Sequence, residues 1–249
     1  MRTVLYMYTV NKSPLAVLPE HLSQSVWTGA SLAKTHGLTV PSGHAELDAH
    51  LPGGGWPAQS LTELLQEQTG LGEWRLVLPA LRRLIKQGAS VVLIGSPHPP
   101  FLPALQREGI PPDKLIRVDA SSQAQRLWAT EQAIKAPCLT AVLSWLPHAR
   151  AEHLRRLQTS AARHPGLLFV MRPLSARHEA SAAPLRLVLR LGPLPHPLLV
   201  DIIKRKGPML AQTLTLPHWH QGLAPLIPQV HHAALDRTDS RTQPVLALH

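Results

Sequence analysis

From residue 60 to residue 172 the chain switches between two regimes of apolar and polar positions. Five short runs are almost wholly apolar: SLTELLQ (60–66), ASVVLIG (89–95), KLIRVD (114–119), CLTAVLSW (138–145) and GLLFVMR (166–172). Runs of this length between turn residues predict strands buried on both faces. The intervening stretches 73–87, 99–108, 121–135 and 148–163 read as helices. In the last of them Leu154, Leu157 and Ala161 form an apolar stripe, with Arg155, Arg156 and Arg163 turned away from it. Strands alternating with helices predict βαβ units with right-handed crossovers. The expected class is α/β, a mostly parallel sheet sandwiched by helices.

After residue 173 the rhythm changes. PLRLVLRL (184–191), PLLVDIIKRKG (197–207) and AQTLTL (211–216) are β-rich and predict antiparallel strands added at the C-terminal side of the sheet. Ahead of the alternating region, LTVPSGHAELDAHLPGGGWP opens the folded part. Ser42 is placed to cap a short helix with Glu46 in its first turn, and the glycine cluster breaks the chain before Trp56-Pro57. Three segments follow from this pattern: a weakly ordered lead-in (1–37), an α/β domain (38–216) and a Pro/His-rich tail (217–249). No internal repeat is present in the sequence.

With 249 residues, 44% of them apolar, the chain can bury one large core. The formal charge of +10 is unevenly placed. Residues 1–149 hold 12 Lys+Arg against 10 Asp+Glu, whereas residues 150–249 hold 13 against 5. A basic half suits a polyanion or an acidic protein partner, and equally suits simple solubility. The single cysteine, Cys138, excludes an internal disulfide and is read as a small buried residue. No apolar run reaches the length that spans a bilayer, and the N-terminal apolar patch lacks a small-residue cleavage site. A cytoplasmic protein with no membrane partner is expected.

The candidate chemistry lies in QEQTGLGEWR, between an apolar strand and a helix, where many α/β proteins hold a nucleotide phosphate. A working loop reads G-x-x-x-x-G-K-[ST], its lysine reaching the terminal phosphates and its hydroxyl holding the metal. Here Gln66 stands for the first glycine. Gly70 and Gly72 supply the glycines, with one extra residue before the last. Glu73 replaces the lysine and Trp74 the hydroxyl residue. The strand due to carry a metal-orienting aspartate, LTAVLSW, ends in Ser144 and Trp145 instead. Three requirements of nucleotide hydrolysis fail together. The expectation is no cofactor, no metal and no catalytic residue.

The segment VPSGHAELDAHLPGGGWPAQSLTELL resembles the segment that leads into the phosphate loop of RecA-type recombinases. The shared features are Ser42-Gly43, Leu47-Asp48, Gly53-Gly54-Gly55, Pro57 and Glu63. Downstream, GLGEWRLVLPALRRL, LWATEQAI, AVLSWLPHARAEHLRRLQ, FVMRPLSARHEASAAPLRLVL and VDIIKRKGP resemble the ImuA family of translesion-synthesis accessory proteins. The resemblance covers about residues 38–216. The stretch 61–190 also resembles SulA, the SOS-induced division inhibitor that binds the tubulin-like FtsZ. SulA is shorter at both ends, so SGHAELDAHLPGGGWP and VDIIKRKGP favour ImuA. The resemblance implies a RecA-like fold and a non-catalytic adaptor. Its implied partners are an ImuB-like Y-family protein and an error-prone DnaE-type polymerase, with RecA as a further candidate. FtsZ is the partner in the alternative, and an ATP-dependent DNA-binding protein is the least favoured reading.

The remaining clusters carry two readings each. Arg155, Arg156 and Arg163, with Lys204, Arg205 and Lys206, form the candidate interaction face. They suit DNA phosphates or an acidic protein, and also a solvated helix face and a charged sheet edge that resists aggregation. His218, His220, His231 and His232 lack Cys or carboxylate partners at ligand spacing and are read as solvated. Trp56, Trp128 and Trp145 are read as packing residues. Trp74 stands apart because it opens the helix where a phosphate would sit.

Overall fold

The computed structural model describes residues 37–70, 72–193 and 197–216. The predicted tail, its histidines and the lead-in before Gly37 fall outside these residues. A two-stranded ribbon pairs β1 (Thr39–Val40) with β2 (Trp56–Pro57), enclosing the short helix α1 (Ala45–Asp48). The alternating region then forms β3 (Leu61–Gln66), α2 (Glu73–Lys86), β4 (Ser90–Ile94), α3 (Leu102–Arg107) and β5 (Leu115–Val118). It continues through α4 (Gln123–Lys135), β6 (Leu139–Trp145), α5 (Ala151–Ala161) and β7 (Leu167–Pro173). β8 (Leu185–Leu191), β9 (Leu198–Lys204) and β10 (Leu214–Leu216) follow.

The eight strands β3 to β10 form one sheet in the order β10-β9-β8-β3-β7-β6-β4-β5. From β8 to β5 all neighbours are parallel, while β9 and β10 are added antiparallel. This is the expected α/β class. β8 differs from expectation in joining the parallel part directly, beside β3. One face of the sheet packs against α2 and α3 through Leu76, Leu81, Leu84 and Leu105, and the other against α4 and α5 through Ile134, Leu154, Leu157 and Ala161. Trp56 fills the first core with its ring edge-on to Phe169, centroids 5.1 Å apart. Among the described residues no helix is long and apolar enough to cross a membrane.

α2 contains Pro79, which cannot bond the carbonyl of Arg75. That carbonyl instead accepts a hydrogen bond from His44 Nε2 at 3.3 Å. Gly43, at φ +87°, lies so close that a Cβ there would stand 2.3 Å from Pro79 Cβ. The proline defect is thus the socket that seats the lead segment.

Three expectations are corrected. His44, not Ser42, occupies the N-cap of α1, because Ser42 turns inward: its N–H donates to Asp48 Oδ1 at 2.9 Å and its hydroxyl accepts from the His44 N–H. Cys138 is exposed, since it sits in the turn ahead of β6 instead of in the strand. Trp128 lies within α4 and is 66% exposed, on the side of that helix away from the sheet.

Candidate functional site

β3 is central in the sheet, with Gln66 at its carboxyl end paired between Pro173 of β7 and Leu189 of β8. A short turn leads to α2, which begins at Glu73. Gly70 takes φ +90°, a conformation open to glycine, and turns its N–H towards the helix start. Loop amides converging on a helix N-terminus form an anion site. The anion here belongs to the chain. The Glu73 carboxylate folds back and accepts from Gly70 N–H at 2.6 Å and from Gly72 N–H at 3.2 Å. Glu73 is 1% exposed.

A phosphate entering this loop would meet two amides already engaged and a fixed negative charge. At about 4 Å and an effective dielectric near 20, the repulsion is about 4 kcal/mol per unit charge. Trp74 follows, half-buried against the core on the α2 side, so it supplies packing where a metal ligand would stand. Ser144 faces the opposite side of the sheet, its hydroxyl 2.7 Å from Thr130 Oγ1 of α4 and both groups buried. The structure therefore brings Gln66, Gly70, Gly72, Glu73 and Trp74 together and leaves Ser144 apart.

Beneath the loop, on the other face of β3, lies a buried charge cluster. Glu63 receives Arg172 Nη1 of β7 at 2.8 Å and Arg186 Nε of β8 at 2.5 Å. Arg172 also reaches Glu179 at 2.6 Å and the Ala149 carbonyl at 2.7 Å. Arg186 closes on the Ala176 carbonyl at 2.8 Å. Two carboxylates balance two guanidiniums, and the pairs join β3 to both neighbours. Glu63 stood out in the sequence only as part of a resemblance. Its sign-matched arginines in otherwise apolar strands were the overlooked signal, since buried charges come paired. A cleft of about 300 Å³ between the loop and the β8–β9 turn, with Gln66 on its wall, had no sequence signal.

The candidate interaction face divides in two. Arg155, Arg156 and Arg163 are exposed on and after α5, and Arg156 pairs with Glu131 of α4 at 2.6 Å. Lys204, Arg205 and Lys206 leave the end of β9. Lys204 bonds the Ser181 carbonyl at 2.8 Å, and Arg205 holds the carbonyls of His50 and Pro208. β10 covers only the Leu198–Val200 end of β9, so the Lys204 end stays at the sheet margin. Among the described residues no group of three or more His, Cys, Asp or Glu is arranged to hold a metal.

No protein-family model matches the chain. The cell division inhibitor SulA of Photorhabdus laumondii is 32% identical over 110 residues, which is 44% of this chain and 62% of that protein. Protein ImuA of Caulobacter vibrioides is 30% identical over 145 residues, 54% of this chain and 58% of that protein. The chain is related to SulA and ImuA. It spans about three-fifths of the length of these two relatives. SulA of Serratia marcescens, 27% identical over 45% of this chain and 67% of its own length, extends the same relationship.

Proposed function

We propose that the chain is a RecA-like module with a self-occupied phosphate loop, acting without catalysis as a protein adaptor in SOS-linked translesion DNA synthesis. The observation that carries this reading is the Glu73 carboxylate seated on Gly70 and Gly72. The strand order supports the RecA-like class. β3 lies between the two latest parallel strands, β7 and β8, and α2 leads away towards β4, so the loop sits at a switch in strand direction where such folds bind ligands. A fold whose ligand position holds its own side chain works by contact. The ImuA relationship supports an ImuB-like Y-family protein and an error-prone DnaE-type polymerase as partners, in the cytoplasm.

The second reading is a division inhibitor that binds FtsZ, and the higher identity to SulA favours it. The ImuA match, in turn, runs over more of this chain. A pull-down from DNA-damaged cells separates them. Bait carrying Arg155→Glu with Arg163→Glu is compared with bait carrying Lys204→Glu with Lys206→Glu. Arg156 and Arg205 are left intact because both have internal partners. Recovery of ImuB-like or polymerase subunits supports the adaptor, and loss on one reversal assigns the face. Recovery of FtsZ alone, with filamentation on overexpression, overturns the adaptor in favour of the division inhibitor.

A further inference from the structure

Gln66 ends β3 with its chemistry unfinished. The residue is 3% exposed, yet neither its amide nitrogen nor its amide oxygen has a hydrogen-bond partner. Buried carboxamides without partners are destabilising and uncommon in native folds. The side chain lines the cleft of about 300 Å³ beside the loop, whose apolar wall is Leu189, Leu191 and Leu198 and whose rim carries Glu67 and Arg190. Gly72 keeps this shape: a Cβ there would come within 2.8 Å of Leu198 Cδ1.

The surroundings select the occupant. An anion is disfavoured, because Glu73 already takes the loop amides, Glu67 adds negative charge, and Arg190 is paired with Asp201 at 2.6 Å. A nucleobase is disfavoured because none of the lining residues is aromatic. The volume sits at the small end of ligand sites. A carboxamide fits. It returns one acceptor and one donor to Gln66 in two parallel N–H···O bonds, and its aliphatic stem lies on the leucines.

We propose that this cleft binds an Asn or Gln side chain of a short peptide segment from a protein partner, with Gln66 as the recognising residue. The identity of the partner rests on the adaptor reading; the cleft itself does not.

Short random peptides displayed on phage are panned on the full chain, and the selected peptides are measured by fluorescence polarisation. Wild type should enrich peptides sharing an Asn or Gln. Their affinity should fall about tenfold or more in Gln66→Leu, and likewise when the shared amide is replaced by alanine. Gln66→Leu should also melt at or above the wild-type temperature, since it removes an unpartnered buried amide. Leu191→Phe, which narrows the cleft without altering Gln66, should weaken the same peptides. The proposal is overturned if no peptide is enriched, if the peptides bind Gln66→Leu as tightly, or if Gln66→Leu melts well below wild type. Binding of adenosine to wild type but not to Gln66→Leu assigns the cleft to a nucleobase and overturns it too. No cellular partner enters this measurement, so its failure leaves the translesion reading standing, and a failed pull-down leaves the cleft standing.

Discussion

At the position where a phosphate loop needs its lysine, Glu73 does more than remove a positive charge. Its carboxylate replaces the ligand. Glu73→Ala leaves Gly70 and Gly72 N–H groups without their acceptor and should cost about 1–3 kcal/mol in urea unfolding. Glu73→Gln keeps one acceptor oxygen and should cost less. Equal stability of Glu73→Ala and wild type would show that the carboxylate does not hold the loop. A second residue sets a pH dependence. Burial pushes the His164 pKa below its usual 6.5. Below that value the unfolded chain takes up the proton first, so this contribution is intact above pH 6.5 and shrinks as pH falls. Melting temperatures measured from about pH 7.5 down to about 5.5 should fall more in wild type than in His164→Gln. Parallel curves would remove His164 from the account. The charge reversal at Glu73 was legible in the sequence. Its fold-back was not, because that depends on the left-handed turn at Gly70.

Among the elements, β3 holds the most information. Glu63 ties it to β7 through Arg172 and to β8 through Arg186, all three side chains buried. Glu63→Leu alone strands two buried guanidiniums and should cost about 3–5 kcal/mol, whereas Glu63→Leu with Arg172→Met and Arg186→Leu should recover most of that. Urea titrations of the single and triple variants check this, and a triple variant no better than the single one would contradict it. The docking of α1 on α2 makes a sharper steric claim. Gly43→Ala combines a positive φ with a 2.3 Å approach to Pro79, and should destabilise more than a typical surface Gly→Ala change. Thermal melts decide it: a wild-type melting temperature in Gly43→Ala would show that the Pro79 socket yields freely. The strands and helices themselves were legible because buried parallel strands and amphipathic helices leave different periods in the sequence. Where elements shrank, local chemistry explains it. α3 starts only at Leu102, after Pro99 and Pro100 hold the chain extended, and β10 shrinks to the three residues that pair with Leu198–Val200.

For the whole molecule, charge counted along the chain overstates the charge on its surface. Two arginines of the basic half, Arg172 and Arg186, lie inside the sheet neutralising Glu63, and Arg156 and Arg190 are paired with Glu131 and Asp201. The surface available to an acidic partner is the smaller set tested by the two charge reversals. The sequence could not divide that set, because α5 and the end of β9 are brought into position only by the strand order. The central claim is that this architecture holds its own carboxylate where its fold would hold a nucleotide phosphate. Isothermal titration of the full chain with Mg-ATP, together with a phosphate-release assay, tests it most directly. The account predicts no binding heat and no hydrolysis above background. Micromolar binding with hydrolysis above background would contradict it.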